Sequence, residues 1–217
     1  MKQIQPDLWE TEVEKPFPGL TTHAYLLTRD EGNVLFYNTS LTPELDRMAE
    51  LGGVAYQLLS HRDEVGDSLN TIGNRFGCKL GAHTLEQADV ARVRVPDFLF
   101  TQREPILGNI EVIPVPGHSP GSTSFLVESA HGKRYLFTGD TIYRGEGGVW
   151  KAGFIPGYTP PEARPTLAAS LRLLGTLKPD LVLSSAFGGD SGFQEMHPDE
   201  WAMHTDHAIK ALLSQAD

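Results

Sequence analysis

Short apolar runs separated by polar turns dominate the first hundred residues. Leu8 to Val13 opens a strand meander that continues with Thr22 to Thr28 and Asn33 to Tyr37. Arg29-Asp30-Glu31-Gly32, between the latter two, has the composition of a hairpin turn. Thr42-Pro43-Glu44 reads as a helix start, with the threonine as cap and the proline in the first turn, and the helix runs to about Glu50. Val54 to Leu59 has the continuous apolar pattern of a buried strand. A helix over Ser68–Phe76, closed by Gly77, and a strand over Lys79–Ala82 follow, which makes a parallel crossover. Leu85 to Val90 predicts a short helix, and Arg92 to Gln102 one or two strands around Pro96.

The second half starts the pattern again. Ile110 to Val115, Ser122 to Val127 and Arg134 to Thr138 are three aliphatic strands. Arg144 to Thr159 is glycine-rich and aperiodic, and in a compact chain such a stretch is more often a functional loop than a linker. Trp150, Phe154 and Tyr158 lie in it, where they either line a substrate cleft or pack the loop onto the core. Helices over Pro160–Leu177 and His197–Ser214 flank a last strand at Leu181–Ser184.

Composition narrows the reading without deciding it. The 217 residues suit one domain over 1–217, with 40% hydrophobic and 21% charged residues. Eighteen basic against 28 acidic residues give −10, a balance that repels phosphate backbones and disfavours a nucleic-acid partner. One cysteine, Cys78, excludes an intrachain disulfide and fits a reducing compartment. The N-terminus lacks an apolar signal core and no apolar run is long enough to span a membrane, so the expected location is cytoplasmic.

The chemistry concentrates at strand ends. Pro116-Gly117-His118-Ser119-Pro120-Gly121-Ser122, an aliphatic strand and then Leu136-Phe137-Thr138-Gly139-Asp140 closely resemble the second half of the metallo-β-lactamase superfamily signature. That resemblance implies an α/β fold of the four-layer αβ/βα sandwich type, with a metal site on loops at strand ends. It implies His118 as a metal ligand and Asp140 as the carboxylate that bridges two ions. The family's first motif, H-x-H-x-D-H, is shortened here to Ser60-His61-Arg62-Asp63-Glu64. His61 matches its first histidine. With a two-residue deletion Asp63 takes the aspartate's place and Glu64 that of the last histidine; without a gap, Asp63 replaces the second histidine. The second histidine is missing either way. Where the family ends its final strand with a histidine, this chain has Ser184-Ser185-Ala186-Phe187, and the early D-x-G is Asn38-Thr39-Ser40.

His61, His118 and Asp140 therefore remain as matched ligands, and Asp63 and Glu64 could add carboxylate oxygens. For Glu64, a helix-start role ranks ahead of ligation. Three ligands suffice for one catalytic zinc, and the carboxylate-rich set admits manganese or iron, whereas two tightly held zinc ions are not expected. The resemblance implies a hydrolase of the glyoxalase II and lactonase group, acting on a small ester, thioester or lactone by a metal-bound hydroxide. In it Asp140 helps hold the ion, and Asp63 orients or deprotonates the water. The competing reading is a metal-free pseudoenzyme that keeps the fold as a ligand-binding or interaction module. His204 and His207 share a helix face but lack a partner motif, and read as a solvated surface.

Overall fold

The computed structural model describes residues 1–16 and 18–214, and the chain divides into two compact units, residues 1–101 and 102–217. In the first unit the strands are β1 (Lys2–Gln5), β2 (Leu8–Glu10), the two-residue β3 (Thr21–Thr22), β4 (Tyr25–Leu27), β5 (Val34–Phe36), β6 (Tyr56–Leu58), β7 (Lys79–His83) and β8 (Phe98–Phe100). Among the described residues, seven of these form one mixed sheet in the order β1-β2-β4-β5-β6-β7-β8. Pairing is antiparallel from β1 to β5 and parallel from β5 to β8. Helices α1 (Thr42–Glu50), α2 (Ser68–Phe76) and α3 (Gln87–Val90) supply the crossovers that parallel neighbours require.

Leu59, Leu69, Leu80, Ala82 and Val90 form a buried cluster that joins α2 and α3 to β7. Thr42 is the first residue of α1 and not its cap. Leu41 occupies that position, and its apolar side chain makes no capping hydrogen bond.

One continuous row of paired residues crosses this sheet: Glu10, Tyr25, Phe36, Leu58, Gly81 and Phe98. The residues just beyond that row share one end of the sheet. His23 and Asn38 lie there, with His61 and His83. Sequence positions 60 residues apart thus become neighbours along one edge.

The second unit holds a six-stranded sheet in the order β17-β15-β12-β11-β10-β9 among the described residues. Its members are β9 (Glu104–Ile106), β10 (Ile110–Pro114), β11 (Thr123–Glu128), β12 (Arg134–Gly139), β15 (Leu181–Ser184) and β17 (Phe193–Glu195). The β12/β15 pair is parallel and the rest are antiparallel. A smaller group contains β13 (Ile142–Arg144), β14 (Trp150–Ala152) and β16 (Ala186–Phe187). Helices α4 (Arg164–Gly175) and α5 (Glu200–Ser214) pack on each other. They start later than the sequence suggests, α4 after a 3-10 turn at Pro161–Ala163.

The aperiodic stretch 144–159 is ordered by β13, β14 and its aromatics. Trp150 is buried against Trp201, ring centroids 5.4 Å apart at 86°. The Trp150 indole donates to Gln194 Oε1 at 3.0 Å, and Phe154 lies under the Arg164 guanidinium at 4.0 Å. Both are packing residues, and only Tyr158 of the three stays well exposed. Among the described residues no helix is long and apolar enough to cross a membrane.

Candidate functional site

In the first unit, β6 delivers Ser60 and His61, and a 3-10 turn at Arg62–Glu64 folds the chain back onto them. His61 is 2% exposed. Its Nδ1 lies 2.8 Å from Ser60 Oγ and 3.2 Å from Glu64 Oε1. The Glu64 carboxylate accepts from the Ser60 amide at 2.8 Å and also from the Ser60 hydroxyl. Since the Ser60 hydroxyl proton goes to Glu64, its oxygen accepts from His61, which places the imidazole proton on Nδ1. The nitrogen that presents a lone pair is then Nε2, and Asp63 Oδ2 lies 3.9 Å from it. Asp63 is 38% exposed in its side chain. Glu64 thus sits behind the imidazole, with both oxygens engaged by Ser60.

In the second unit, β10 runs into Pro116-Gly117-His118. Gly117 has φ +134°, and a Cβ there would come within 2.5 Å of the Leu167 backbone on α4, so the turn requires glycine. Ser170 of α4 donates to the Pro116 carbonyl at 2.7 Å, and the Ser119 amide donates to Ser122 Oγ at 2.9 Å. His118 is 3% exposed and its Nδ1 lies 2.7 Å from the Gly153 carbonyl. A carbonyl can only accept, so His118 also carries its proton on Nδ1, and Nε2 is the nitrogen that presents a lone pair. The Tyr158 ring lies 6.3 Å from it.

Asp140 leaves β12 after Gly139. Its Oδ1 accepts from the Ala186 amide at 2.9 Å. The main chain at the position of the family's last histidine therefore holds this carboxylate directly. Burial and the Asp140 charge push the Tyr143 phenol above its ordinary range.

Three other groups behave differently. His204 pairs with Glu200 at 3.4 Å within α5, and His207 is exposed. Cys78 is buried with Arg94 Nη1 3.5 Å from its sulfur. Sequence reasoning missed a buried pair in the first unit, Glu10 Oε1 and His23 Nε2, 3.3 Å apart. No sequence signal marked it, since Leu8-Trp9-Glu10 shows no apolar alternation, and only the structure turns Glu10 inward beside buried Leu8. Burial pushes the Glu10 carboxyl up from 4.5 to about 7, while Lys2 pulls it down and Glu12 raises it further. Burial pushes His23 below its ordinary value.

Fold and motif together point to one superfamily, and the family comparison agrees. The sequence model of the metallo-beta-lactamase superfamily matches residues 53–185, and the chain belongs to that superfamily. Among individual relatives, the hydroxyacylglutathione hydrolase GloC of Haemophilus influenzae is 32% identical over 99 residues. That match spans 43% of this chain and 42% of that protein. A metallo-beta-lactamase from Pontibacter korlensis has a similar structure, with TM-score 0.74 and 18% identity over 99% of this chain and 98% of that one. A Cronobacter sakazakii metallo-beta-lactamase described by its HARLDQ motif gives TM-score 0.67 and 19% identity over 94% of each chain. At such identities these structures establish the fold alone.

Proposed function

We propose that the protein is a metal-dependent hydrolase of a small ester, thioester or lactone, acting in the cytoplasm as a single functional domain over residues 1–217. In this reading, carried by the family motifs, His61, Asp63, His118 and Asp140 are the residues that would hold one divalent ion, zinc before manganese or iron. The supporting observation is that both histidines have Nδ1 fixed by an acceptor, Ser60 Oγ for His61 and the Gly153 carbonyl for His118. Outer partners of this kind set the tautomer and raise the basicity of a ligating Nε2. A bound ion would acidify water and polarise a carbonyl.

The chain's own groups do the rest. Asp63, the more exposed carboxylate, accepts the proton from the attacking water. Asp140 is oriented through Oδ1 by the Ala186 amide, and its carboxylate would help hold the ion. Glu64 serves as the carboxylate behind His61, in preference to ligation. Tyr158, exposed beside His118, forms a wall against which the acyl group lies. The partial match to a thioester hydrolase supports the substrate class.

The test is metal content of protein purified without chelator, paired with hydrolysis of ester, thioester and lactone panels. One ion per chain and activity with zinc, manganese or iron are expected, and both should be lost in His118→Ala. A metal-free, inactive parent would instead support the pseudoenzyme reading.

A further inference from the structure

The end of the first unit's sheet carries a polar chain that neither the ligands nor the fold explains. Tyr37, just past β5, has φ +72°, a left-handed backbone that a bulky side chain adopts only when its surroundings impose it. The next residue is Asn38. Its Nδ2 donates to the Glu64 carbonyl at 2.9 Å, across 26 residues of sequence. Its Oδ1 accepts from its neighbour's amide, Thr39 N, at 3.0 Å and from Gln57 Nε2 at 3.2 Å. Gln57 is fully buried and also donates from Nε2 to the Tyr37 carbonyl at 3.0 Å.

The direction of every bond in this chain is forced from both ends. The Tyr37 carbonyl can only accept, so Gln57 must present its amino group there. Gln57 then offers that same amino group to Asn38, so Asn38 must turn its oxygen toward Gln57. Its amino group consequently faces the Glu64 carbonyl, again an acceptor only. Aspartate would satisfy the Gln57 end and fail at the Glu64 end, setting an anion against a carbonyl.

We propose that Asn38, oriented by buried Gln57, is a positioning residue that fixes the Arg62–Glu64 turn so that Glu64 stays behind His61. At the place of the family's D-x-G aspartate, this chain sets asparagine opposite the Glu64 carbonyl, which only a donor can satisfy. Through the Glu64 carboxylate and Ser60, the contact reaches His61 Nδ1. This inference rests on the metal-site reading for its effect on metal, but its effect on His61 is independent of any ion.

The test uses Asn38→Asp, an isosteric change, in the full chain. Zinc affinity is measured by competition with a chromophoric chelator. The His61 tautomer is read from imidazole nitrogen-15 shifts in metal-free protein, well below the melting temperature. The variant should bind zinc about 10–100-fold more weakly, the range for loss of an outer-shell partner, and the Nδ1-protonated tautomer of His61 should cease to dominate. Unchanged affinity and unchanged shifts, even with a lowered melting temperature, would overturn the proposal and leave Asn38 a stabilising residue only. If the parent binds no zinc, the metal reading fails and the tautomer arm alone decides the positioning role. Should the charged variant not fold, Asn38→Ala gives the same two readings.

Discussion

The imidazole of His118 is anchored by a main-chain atom: its Nδ1 donates to the carbonyl of Gly153, 2.7 Å away and 35 residues later in the chain. No side-chain substitution at 153 removes that acceptor, yet the position tolerates only glycine. A Cβ built there would lie 1.6 Å from the Asp140 carbonyl oxygen and 3.3 Å from His118 Nδ1. Gly153→Ala must therefore push the β14 end away from both candidate ligands. It should lower stability by roughly 1–3 kcal/mol, as overpacking does, and weaken metal binding about tenfold or more. Urea denaturation and metal titration of the same sample check both, and a variant with parental metal affinity would refute the anchoring role.

Glu10 and His23 give the first unit a pH response whose sign can be worked out. Glu10 holds its proton up to about pH 7 when folded but only to 4.5 when unfolded, so it lowers stability as pH rises through that window. His23 is shifted the other way, downward from 6.5. Below 6.5 the depressed His23 acts with the opposite sign, because there the unfolded chain binds the imidazole proton more readily, so it offsets part of the Glu10 slope. Above 6.5 only the Glu10 term remains and stability should decline toward a plateau past 7. Glu10→Gln should remove that decline, so its gain over the parent should be larger at pH 8 than at pH 5. Equal increments at the two pH values, measured by urea unfolding, would rule out the pair as the cause.

Tyr158 separates packing from substrate contact. It is 44% exposed and stands beside His118, whereas Trp150 and Phe154 of the same stretch are engaged elsewhere. Tyr158→Ala should leave stability within about 0.5 kcal/mol of the parent, as surface changes usually do. It should raise KM for substrates with an apolar acyl group more than for acetyl esters. A uniform fall in kcat across the series would argue against a role in binding the acyl chain.

Most of the scaffold was legible in the sequence because its signals are local. The bounds of α1 and α2 are given by proline and glycine punctuation, and the three strands from Ile110 to Thr138 by aliphatic runs. What could not be read required pairing across long separations. The two-to-four-residue strands β1, β9, β13, β14, β16 and β17 are largely too short or too polar to show a period, and only their neighbours make them strands. The same holds for the site. His61, His118 and Asp140 stood out through their motifs. That Glu64 turns inward to Ser60 depends on a 3-10 turn and on Asn38 from another strand end. The Glu10–His23 pair depends on register across β2 and β4.

The amide of Ala186 that grips Asp140 has an implication for redesign. A side-chain exchange at 186 does not by itself remove that main-chain N–H. Writing histidine at 186 or 187, the two places nearest the family's last ligand, would supply an imidazole, yet the N–H of residue 186 would still hold one Asp140 oxygen. Reversal toward a two-ion site therefore involves the main chain of the loop between Ser184 and Asp190 as well as one side chain.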